Sequence, residues 1–513
     1  MSTFYITTAI DYANAPPHLG TAYEKIGADC MARYKRLTGF DTYFLMGTDE
    51  HSANVEKEAL KQGKTPQDYS REMAATFKDV WQRLGISYDQ FIRTEDPIHI
   101  AAVQKLFEVI YDNGYIYEGF YEGHYCESCE EFKLEKDLVD GLCPRHQTKP
   151  VWLKEKNYFF ALSKFGDRLK RLIEVDNPTF VQPEIRRNEI LKVVERGLED
   201  VSVSRKGMKW GVPLPSKIAK DEVVYVWFDA LINYISAIGY SDATDTFEKY
   251  WPADYHIIGK DITRFHCLIW PAMLMAADVP LPKSVWGHGF VYSRGTKMSK
   301  TIGNVLDPVE LAEFFGGADV LRYLLLREIA FDRDGDFTIE RALARYNAEL
   351  ANELGNLFSR TLSMVQRYRG GAVPAWTKEA EADFARLSDG VIDEFSDRMD
   401  GLHFDEALDA WWHLVQGANR YIEEKKPWQL SKADEAKPLD DVLRVLLEVL
   451  RISSILSVPF MPVKAVAMRE QLGLPTDVAA LRIDEATRPG DPEWKTVASG
   501  AVLFPRFDMP KND

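Results

Sequence analysis

The sequence has 513 residues, which predicts three or four domains at roughly 100 to 200 residues each. Acidic residues (79) outnumber basic ones (63), and the net charge of −16 argues against a protein that holds nucleic acid mainly through a general basic field. Hydrophobic residues make up 46% of the chain and only five residues are cysteines, which excludes a disordered chain and a disulfide scaffold.

The amino-terminal residues show neither the basic region nor the long apolar run of a signal or transit peptide. The longest apolar stretches, around residues 265–275 and 442–460, are interrupted by charged residues and by proline, and they are too short for a membrane span. We therefore expect a soluble cytoplasmic protein without a membrane partner.

The first elements of the chain predict a βαβ unit. Residues 3–10 are rich in Thr, Ile, Tyr and Phe and predict a buried strand. After a proline-bearing loop, apolar residues recur every three or four positions from Leu19 to Leu37, which predicts a helix that stops at Gly39. Residues 41–46 predict a second strand. This order of elements predicts an α/β fold with a largely parallel sheet.

The pattern changes along the rest of the chain. Residues 114–223 contain aromatic runs, clustered Cys and His residues and prolines, which indicate an insertion. The α/β pattern then returns, and beyond about residue 341 long amphipathic patterns predict a helical bundle. Predicted strands of the second α/β part are residues 225–228, 255–259 and 285–291. The predicted divisions are 1–114, 115–224, 225–290, 291–345 and 346–513.

Two short segments have the character of a triphosphate site. The first is the turn around His18 and Gly20, where a strand ends and a helix begins; the helix start offers unpaired N–H groups, and Gly20 allows close approach of a nucleotide. The second is residues 297–301, a loop between glycines with two ammonium groups that can offset charge on leaving pyrophosphate. Either segment alone is more often a helix cap or a charged loop, but together they indicate phosphate chemistry.

These segments resemble the His-x-Gly-His and Lys-Met-Ser-Lys-Ser motifs of class I aminoacyl-tRNA synthetases, and the match is closest to the methionyl-tRNA synthetases. Thr21 and Thr301 depart from the motifs, at a second His and a Ser respectively, so we expect altered rates and a retained activity. The other matching segments are Thr48-Asp49-Glu50-His51, Val226-Trp227-Phe228-Asp229-Ala230 with Tyr234, Gly259-Lys260-Asp261-Ile262 with Phe265-His266, and Trp270-Pro271-Ala272.

The resemblance implies a Rossmann-like parallel-sheet catalytic domain split by a zinc-knuckle insertion and followed by an all-α anticodon-binding domain. The five divisions would be the first catalytic half, the insertion, the second catalytic half, the lysine loop with a stem-contact region, and the helical domain. The implied activity is activation of L-methionine with ATP and Mg²⁺, followed by transfer to the 3′ end of tRNA(Met). Because the sequence ends without the appended tRNA-binding barrel of some relatives, we expect a monomer.

The resemblance also assigns site residues. Asp49 would receive the substrate ammonium, and a hydrogen bond from Tyr234 to the sulfur would add selectivity. Aromatic walls suit the polarizable thioether of methionine, although such a set alone would indicate ordinary core. The implied catalytic residues are His18, Gly20, Thr21, Lys297 and Lys300. The implied methionine-binding residues are Ala9, Ile10, Tyr12, Asp49, Trp227, Tyr234, Ile262, Phe265 and His266. The implied ATP-binding residues are His18, Gly20, Gly259, Asp261, Lys297, Ser299 and Lys300.

Four metal-binding residue types form two close pairs, Cys126 with Cys129 and Cys143 with His146. Two Cys-x-x-Cys/His pairs at this separation suit a tetrahedral, structural Zn²⁺ with no open position for catalysis. A vestigial knuckle without metal is the alternative.

A polar stripe of Asn352, Asn356 and Arg360 recurs every fourth residue opposite a leucine-rich face. Such amide and guanidinium groups can read unstacked bases, although the pattern alone also suits a solvated helix face. The resemblance implies that the stripe and Trp428 read the tRNA anticodon.

Three alternative functions remain open at this point. A synthetase for leucine, isoleucine or valine would need a large editing insertion, for which residues 115–224 are too few. A non-catalytic RNA-binding paralogue would not need His18 and the two lysines. A small-molecule nucleotidyltransferase would have no use for the helical third of the chain.

Overall fold

The computed structural model describes residues 2–126, 131–133, 135, 138–144, 147–298, 305–433, 435–491, 493–498 and 500–507. The strands are β1 (Thr3–Thr8), β2 (Asp11–Tyr12), β3 (Asp41–Asp49), β4 (Gln90–Arg93), β5 (Ile116–Cys126), β6 (Glu131–Lys133), β7 (Val151–Phe160), β8 (Val181–Gln182), β9 (Val201–Ser202), β10 (Ser204–Lys206), β11 (Glu222–Val224), β12 (Tyr255–Gly259), β13 (Val285–His288), β14 (Val291–Ser293), β15 (Thr296–Lys297) and β16 (Gly335–Asp336).

The helices follow the same order along the chain. They are α1 (Leu19–Leu37), α2 (Ala53–Lys61), α3 (Pro66–Arg83), α4 (Pro97–Asp112), α5 (Gly166–Arg171), α6 (Glu184–Glu195), α7 (Val226–Ala230), α8 (Asn233–Ser236), α9 (Asp245–Tyr250), α10 (Trp270–Ala276), α11 (Pro308–Phe314), α12 (Ala318–Glu328), α13 (Ile339–Arg345), α14 (Asn356–Arg369), α15 (Lys378–Ser388), α16 (Val391–Asp400), α17 (Phe404–Lys425), α18 (Pro427–Lys432), α19 (Ala436–Leu456) and α20 (Pro462–Gln471). Wider π-type turns occupy Leu172–Asp176, Phe265–Ile269 and Tyr346–Gly355, and 3₁₀ turns occupy Leu162–Phe165, Lys260–Ile262 and Ile483–Thr487.

A parallel sheet forms the centre of the α/β part. Within the described residues it has seven strands, in the order β2-β3-β1-β12-β13-β8 with β4 beside β3, and every pairing is parallel. The strands are short and largely buried, as expected for a parallel sheet covered on both faces. The prediction of a largely parallel α/β fold is therefore confirmed. The chain passes from β1 to β3 on one side of β1, and β12 is the neighbour of β1 on the other side. The strand order therefore reverses at β1, and such sheets bind ligands at the carboxyl ends of the strands where this reversal occurs.

Helix α1 has the bounds that its periodicity predicts. It begins after the N-cap His18, and its apolar residues, including Ile26 and Cys30, are fully buried. A Cβ at Gly27 would lie 2.4 Å from the ring of Phe331, so the helix packs closely against this segment. The chain then leaves the helix at Gly39 in a left-handed conformation, with φ of 87°.

Two predicted strands differ from the structure. Residues 225–228 are not a strand, because β11 ends at Val224 and α7 begins at Val226. A short apolar run has the same appearance in a buried strand and in a buried helical turn, so the sequence did not separate them. The predicted strand 285–291 breaks after β13, and β14 joins a different sheet. Gly289 allows the break because a Cβ there would lie 2.1 Å from the backbone of Arg333.

The predicted insertion contains its own small sheet. Strands β6, β5, β7 and β9 pair in that order and are antiparallel throughout, and β10 pairs with β11 beside them. Antiparallel pairs need only short connections, which explains how this region can leave the parallel sheet and return to it.

The carboxyl-terminal part is a helical bundle, as predicted. Helices α17 and α19 supply long, fully buried faces, and α14, α15, α16, α18 and α20 pack around them. Among the described residues, none of the helices combines the length and the apolar character that a membrane crossing requires.

A buried ion pair joins the bundle to α1. Arg322 of α12 is fully buried, and its guanidinium lies 2.6 Å from the Asp29 carboxylate. The same guanidinium donates to the carbonyl oxygens of Pro459 and Phe460, at 3.0 and 3.1 Å, just beyond α19. Arg322 therefore holds the motif-bearing helix and the end of the bundle in one network.

Candidate active site

A cavity of about 380 Å³ lies at the carboxyl ends of the central parallel strands. Ala9, Asp49, Gly259 and His288, at the ends of β1, β3, β12 and β13, all line it. This is where open α/β sheets bind their ligands, since helix starts and strand ends direct unpaired backbone groups there.

Most of the described residues that the sequence assigns to a site line this one cavity. Those assigned to methionine are Ala9, Ile10, Tyr12, Asp49, Trp227, Tyr234, Ile262 and His266, and those assigned to ATP and catalysis are His18, Gly20, Thr21, Gly259 and Asp261. Phe265 is not part of the lining. Its ring instead stacks on Trp227 with centroids 3.9 Å apart and an interplanar angle of 10°.

His18 caps α1 through its side chain. The Thr21 amide donates to Nδ1 of His18 at 3.2 Å, so a neutral imidazole carries its proton on Nε2. Thr21 Oγ1 also lies 3.4 Å from this Nδ1. The threonine in place of the family's second histidine therefore contacts the first one.

The loop with the two lysines approaches the same turn. Met298, which is 8% exposed, lines the cavity, and its methyl group lies 3.6 Å from where a Cβ on Gly20 would be. The backbone of Lys297 pairs with Tyr292 of β14. The Lys297 side chain and residues Ser299 and Lys300 lie outside the described residues. Met298 of the second segment thus faces the same cavity as His18 and Gly20 of the first.

The apolar end of the cavity contains a directed hydrogen-bond chain. Burial lowers the pKa of His266 to about 4, so its ring is neutral. Its Nδ1 donates to the Ile262 carbonyl at 3.1 Å, which leaves Nε2 to accept from the Tyr234 hydroxyl at 2.7 Å. In this structure the Tyr234 proton is donated to His266, and the hydrogen bond from Tyr234 to the substrate sulfur stays a prediction.

A buried charged cluster in the cavity wall is absent from the residues predicted for the site. Nζ of Lys25 lies 2.9 Å from the Ala9 carbonyl, 2.6 Å from Glu24 Oε1 and 3.0 Å from Asp11. Glu24 also contacts His288, at 3.0 Å. Burial opposes the charge on Lys25, but the two carboxylates outweigh it and raise the pKa of this amine. The signal in the sequence that could have indicated this cluster is the adjacent charged pair Glu24 and Lys25 within an otherwise apolar stretch of helix.

The polar stripe lies on the surface of the helical part. Asn352 and Asn356 are exposed, whereas Leu350, Leu354 and Leu357 on the other face are fully buried. The Arg360 guanidinium lies 5.9 Å from the ring centre of half-buried Trp428 and 2.9 Å from Glu423. The structure thus brings Arg360 and Trp428 together.

The proposed zinc ligands are only partly described. Cys126 and Cys143 are both buried and form one small cluster, and the Cys126 sulfur lies 3.7 Å from the Thr148 hydroxyl. Cys129 and His146 lie outside the described residues. In the part of the chain that the structure describes, no group of three or more His, Cys, Asp or Glu side chains is placed to hold a metal.

Comparisons with known proteins agree with this geometry. A family described as "tRNA synthetases class I (M)" matches residues 4–149 and 133–362. A second, described as "Anticodon binding domain of methionyl tRNA ligase", matches residues 372–491.

Relatives match nearly the whole chain. A methionine–tRNA ligase from Caldanaerobacter subterraneus subsp. tengcongensis is 46% identical over 99% of this chain and 80% of its own length. The corresponding ligase from Thermotoga maritima is 41% identical over 98% of this chain and 80% of its own length.

Solved structures agree as well. Mycobacterium tuberculosis methionyl-tRNA synthetase in complex with methionyl-adenylate has a TM-score of 0.92 at 40% identity, covering 99% of this chain and all of that one. Its apo form has a TM-score of 0.85 at 39% identity, covering 99% of each chain. Fold, cavity and relatives lead to the same conclusion: the chain belongs to the methionyl-tRNA synthetases, a family of class I aminoacyl-tRNA synthetases.

Proposed function

We propose that this protein is a methionine–tRNA ligase, which joins L-methionine to the α-phosphate of ATP, releases pyrophosphate and transfers the methionyl group to the 3′ end of tRNA(Met). The observation that carries the proposal is the single cavity between the His18 turn and Met298 of the lysine loop. Asp49 and Trp227 line the same cavity. Adenylate formation requires adjacent sites for an amino acid and a triphosphate, and this shared lining supports such an arrangement.

The chemistry needs alignment and charge neutralisation and does not need a general base. The substrate carboxylate is ionised at neutral pH and is itself the nucleophile. His18 donates from Nε2 to a phosphate oxygen, while Lys297 and Lys300 offset the charge that develops on pyrophosphate. Mg²⁺ would enter with ATP and would supply further positive charge. Asp261, an exposed carboxylate of the cavity wall, is the residue that would hold it.

Asp49 and the aromatic residues select the amino acid. Asp49 is 3% exposed and lines the cavity beside Tyr12, its register partner in the sheet, which supports its assignment to the substrate ammonium group. The edge of Tyr12 faces Trp227 at a centroid distance of 6.0 Å. Aromatic rings make favourable contacts with a thioether of about 0.3–1.5 kcal/mol each.

The tRNA is recognised by the helical part. Asn352, Asn356 and Arg360 present amide and guanidinium groups on an exposed face, and Trp428 offers a ring on which a base can stack. We assign these four residues to the anticodon. The enzyme acts as a monomer in the cytoplasm, where its tRNA product is used.

The function is tested by ATP–pyrophosphate exchange with each of the twenty amino acids. We expect exchange with L-methionine, and exchange with leucine, isoleucine and valine lower by at least about 10- to 200-fold, the discrimination that a one-methylene difference provides. Exchange that is equal or faster with another amino acid would refute the methionine assignment, and no exchange with any amino acid would refute adenylation.

The insertion is proposed to hold one structural Zn²⁺ on Cys126, Cys129, Cys143 and His146. The buried pairing of Cys126 and Cys143 supports this donor set, because thiolates are the ligands that Zn²⁺ prefers. When bound, the metal cross-links the insertion and supplies no reacting group.

Elemental analysis after gentle purification is expected to find about one equivalent of zinc per chain, since four protein ligands fill a structural site. The Cys143→Ser variant is expected to lose it. Less than about a tenth of an equivalent in the wild-type protein would favour a vestigial knuckle over a site of this kind.

A further inference from the structure

Two histidines hold one buried carboxylate behind the wall of the cavity. Asp229 of α7 is fully buried, with Oδ2 2.7 Å from Nδ1 of His51 and Oδ1 2.8 Å from Nε2 of His99. His51 follows β3, and His99 lies in the first turn of α4. We name His51, His99 and Asp229 the histidine clamp. It joins three elements that are far apart in sequence.

The protonation of the clamp follows from its outer contacts. Nε2 of His51 lies 2.5 Å from Glu95, so both ring nitrogens of His51 face carboxylates and both carry protons. Burial opposes this charge, but Asp229 and Glu95 raise the pKa of His51 to about 10. Nδ1 of His99 lies 2.8 Å from the Ser236 hydroxyl, and its Nε2 donates to the Asp229 carboxylate at 2.8 Å. Each oxygen of Asp229 thus receives an N–H.

The clamp adjoins both parts of the methionine site. Asp229 follows Trp227 by two residues, and the next residue, Ala230, also lines the cavity. His51 follows Asp49 by two residues. The clamp residues themselves lie behind the cavity lining, and they connect the segment that carries the aromatic wall to the segment that carries the ammonium partner.

We propose that His51, His99 and Asp229 are positioning residues that set the separation between Asp49 and Trp227 and thereby the amino-acid selectivity of the site. The inference deepens the proposed function and rests on it. A buried carboxylate left without its donors is strongly destabilised, so α7 cannot shift away from the end of β3 while the clamp is intact. Selectivity depends on such rigidity, because one methylene distinguishes substrates by only about 10- to 200-fold even in a well-formed pocket.

The test is the Asp229→Asn variant of the full chain, assayed by pyrophosphate exchange. The substitution keeps the shape of the side chain and removes the charge that both histidines face. We expect the KM for methionine to rise about tenfold, with kcat and the KM for ATP within about twofold, because ground-state positioning of the amino acid is lost. The preference for methionine over norleucine, in kcat/KM, is expected to fall by about fivefold or more.

Glu448→Gln is the matched control. Glu448 is also fully buried and is held by two cationic side chains, Arg444 at 2.9 Å and Arg451 at 2.6 Å, but it lies in α19 of the helical part. We expect it to lower the melting temperature without changing the methionine KM or the norleucine preference.

Three results would overturn the inference. The first is a folded Asp229→Asn variant with the wild-type methionine KM and norleucine preference. The second is an equal change of both quantities in Glu448→Gln. If Asp229→Asn does not fold, His99→Gln is tested in its place. The third result is a His99→Gln variant with the wild-type methionine KM and norleucine preference. Wild-type enzyme without methionine-dependent exchange would instead refute the proposed function, so the two failures are distinguishable.

Discussion

Replacing His18 with alanine is expected to slow methionyl-adenylate formation by about 100- to 1,000-fold, or about 2.7–4 kcal/mol, the usual effect of removing one donor from a developing oxyanion. The reason is the fixed tautomer: Nδ1 accepts from the Thr21 amide, so the proton lies on Nε2 for a phosphate oxygen. The methionine KM is expected to change less than about threefold, because the donor acts on the triphosphate. Single-turnover kinetics with saturating ATP measure this rate.

Thr65→Ala is the matched control for this variant. The Thr65 hydroxyl caps α3 by accepting from the Asp68 amide at 3.1 Å, and Thr65 does not line the cavity. Losing a cap destabilises a protein by about 0.5–2 kcal/mol without a specific effect on catalysis. If His18→Ala kept a rate within about fivefold of wild type and lost only stability, His18 would be a cap and not a catalytic residue.

Replacing Trp428 with alanine is expected to lower kcat/KM for tRNA aminoacylation by about 5- to 150-fold, which corresponds to the 1–3 kcal/mol of one base stacked on an aromatic ring. Pyrophosphate exchange without tRNA is expected to stay within about twofold of wild type, since the exchange needs only the cavity. The half-buried ring lies under the Arg360 guanidinium, which can add a cation–π contribution to the stacking face. Both activities are measured on the same preparation.

Trp376→Ala separates base stacking from a structural effect. Trp376 is another half-buried tryptophan of the helical part, and it also lies near a guanidinium, 5.7 Å from Arg444. It packs against Phe384, away from the polar stripe. We expect this control to affect stability and to leave the ratio of the two activities unchanged. A parallel loss of exchange and aminoacylation in Trp428→Ala would indicate a structural tryptophan.

The sequence predicts the helices and strands whose residues follow a regular local pattern. The helix from Leu19 to Leu37 has its predicted bounds, and β12 coincides with the predicted strand 255–259. Where a run is short and apolar on every side, as in residues 225–228, periodicity carries no information, and tertiary packing selects a helical turn.

Contacts between side chains that are far apart in the sequence could not be predicted from local residue patterns. No local pattern pairs Asp229 with His99 or Lys25 with Asp11, because these contacts exist only once the parallel sheet is assembled. The direction of the Tyr234 proton could not be predicted for the same reason, since it is decided by His266 and, through it, by the Ile262 carbonyl. Composition and spacing identify residue types at a site, and three-dimensional contacts assign their protons.

The Arg322 network bears on which truncated forms of the protein keep an intact nucleotide turn. A chain shortened before α19 would remove the carbonyl oxygens of Pro459 and Phe460 and leave the guanidinium in the interior with Asp29 as its remaining anchor. Because Asp29 lies on the helix that His18 caps, the loss would reach the nucleotide turn through a rigid element. Fragments for crystallography or inhibitor screening should therefore keep the bundle attached.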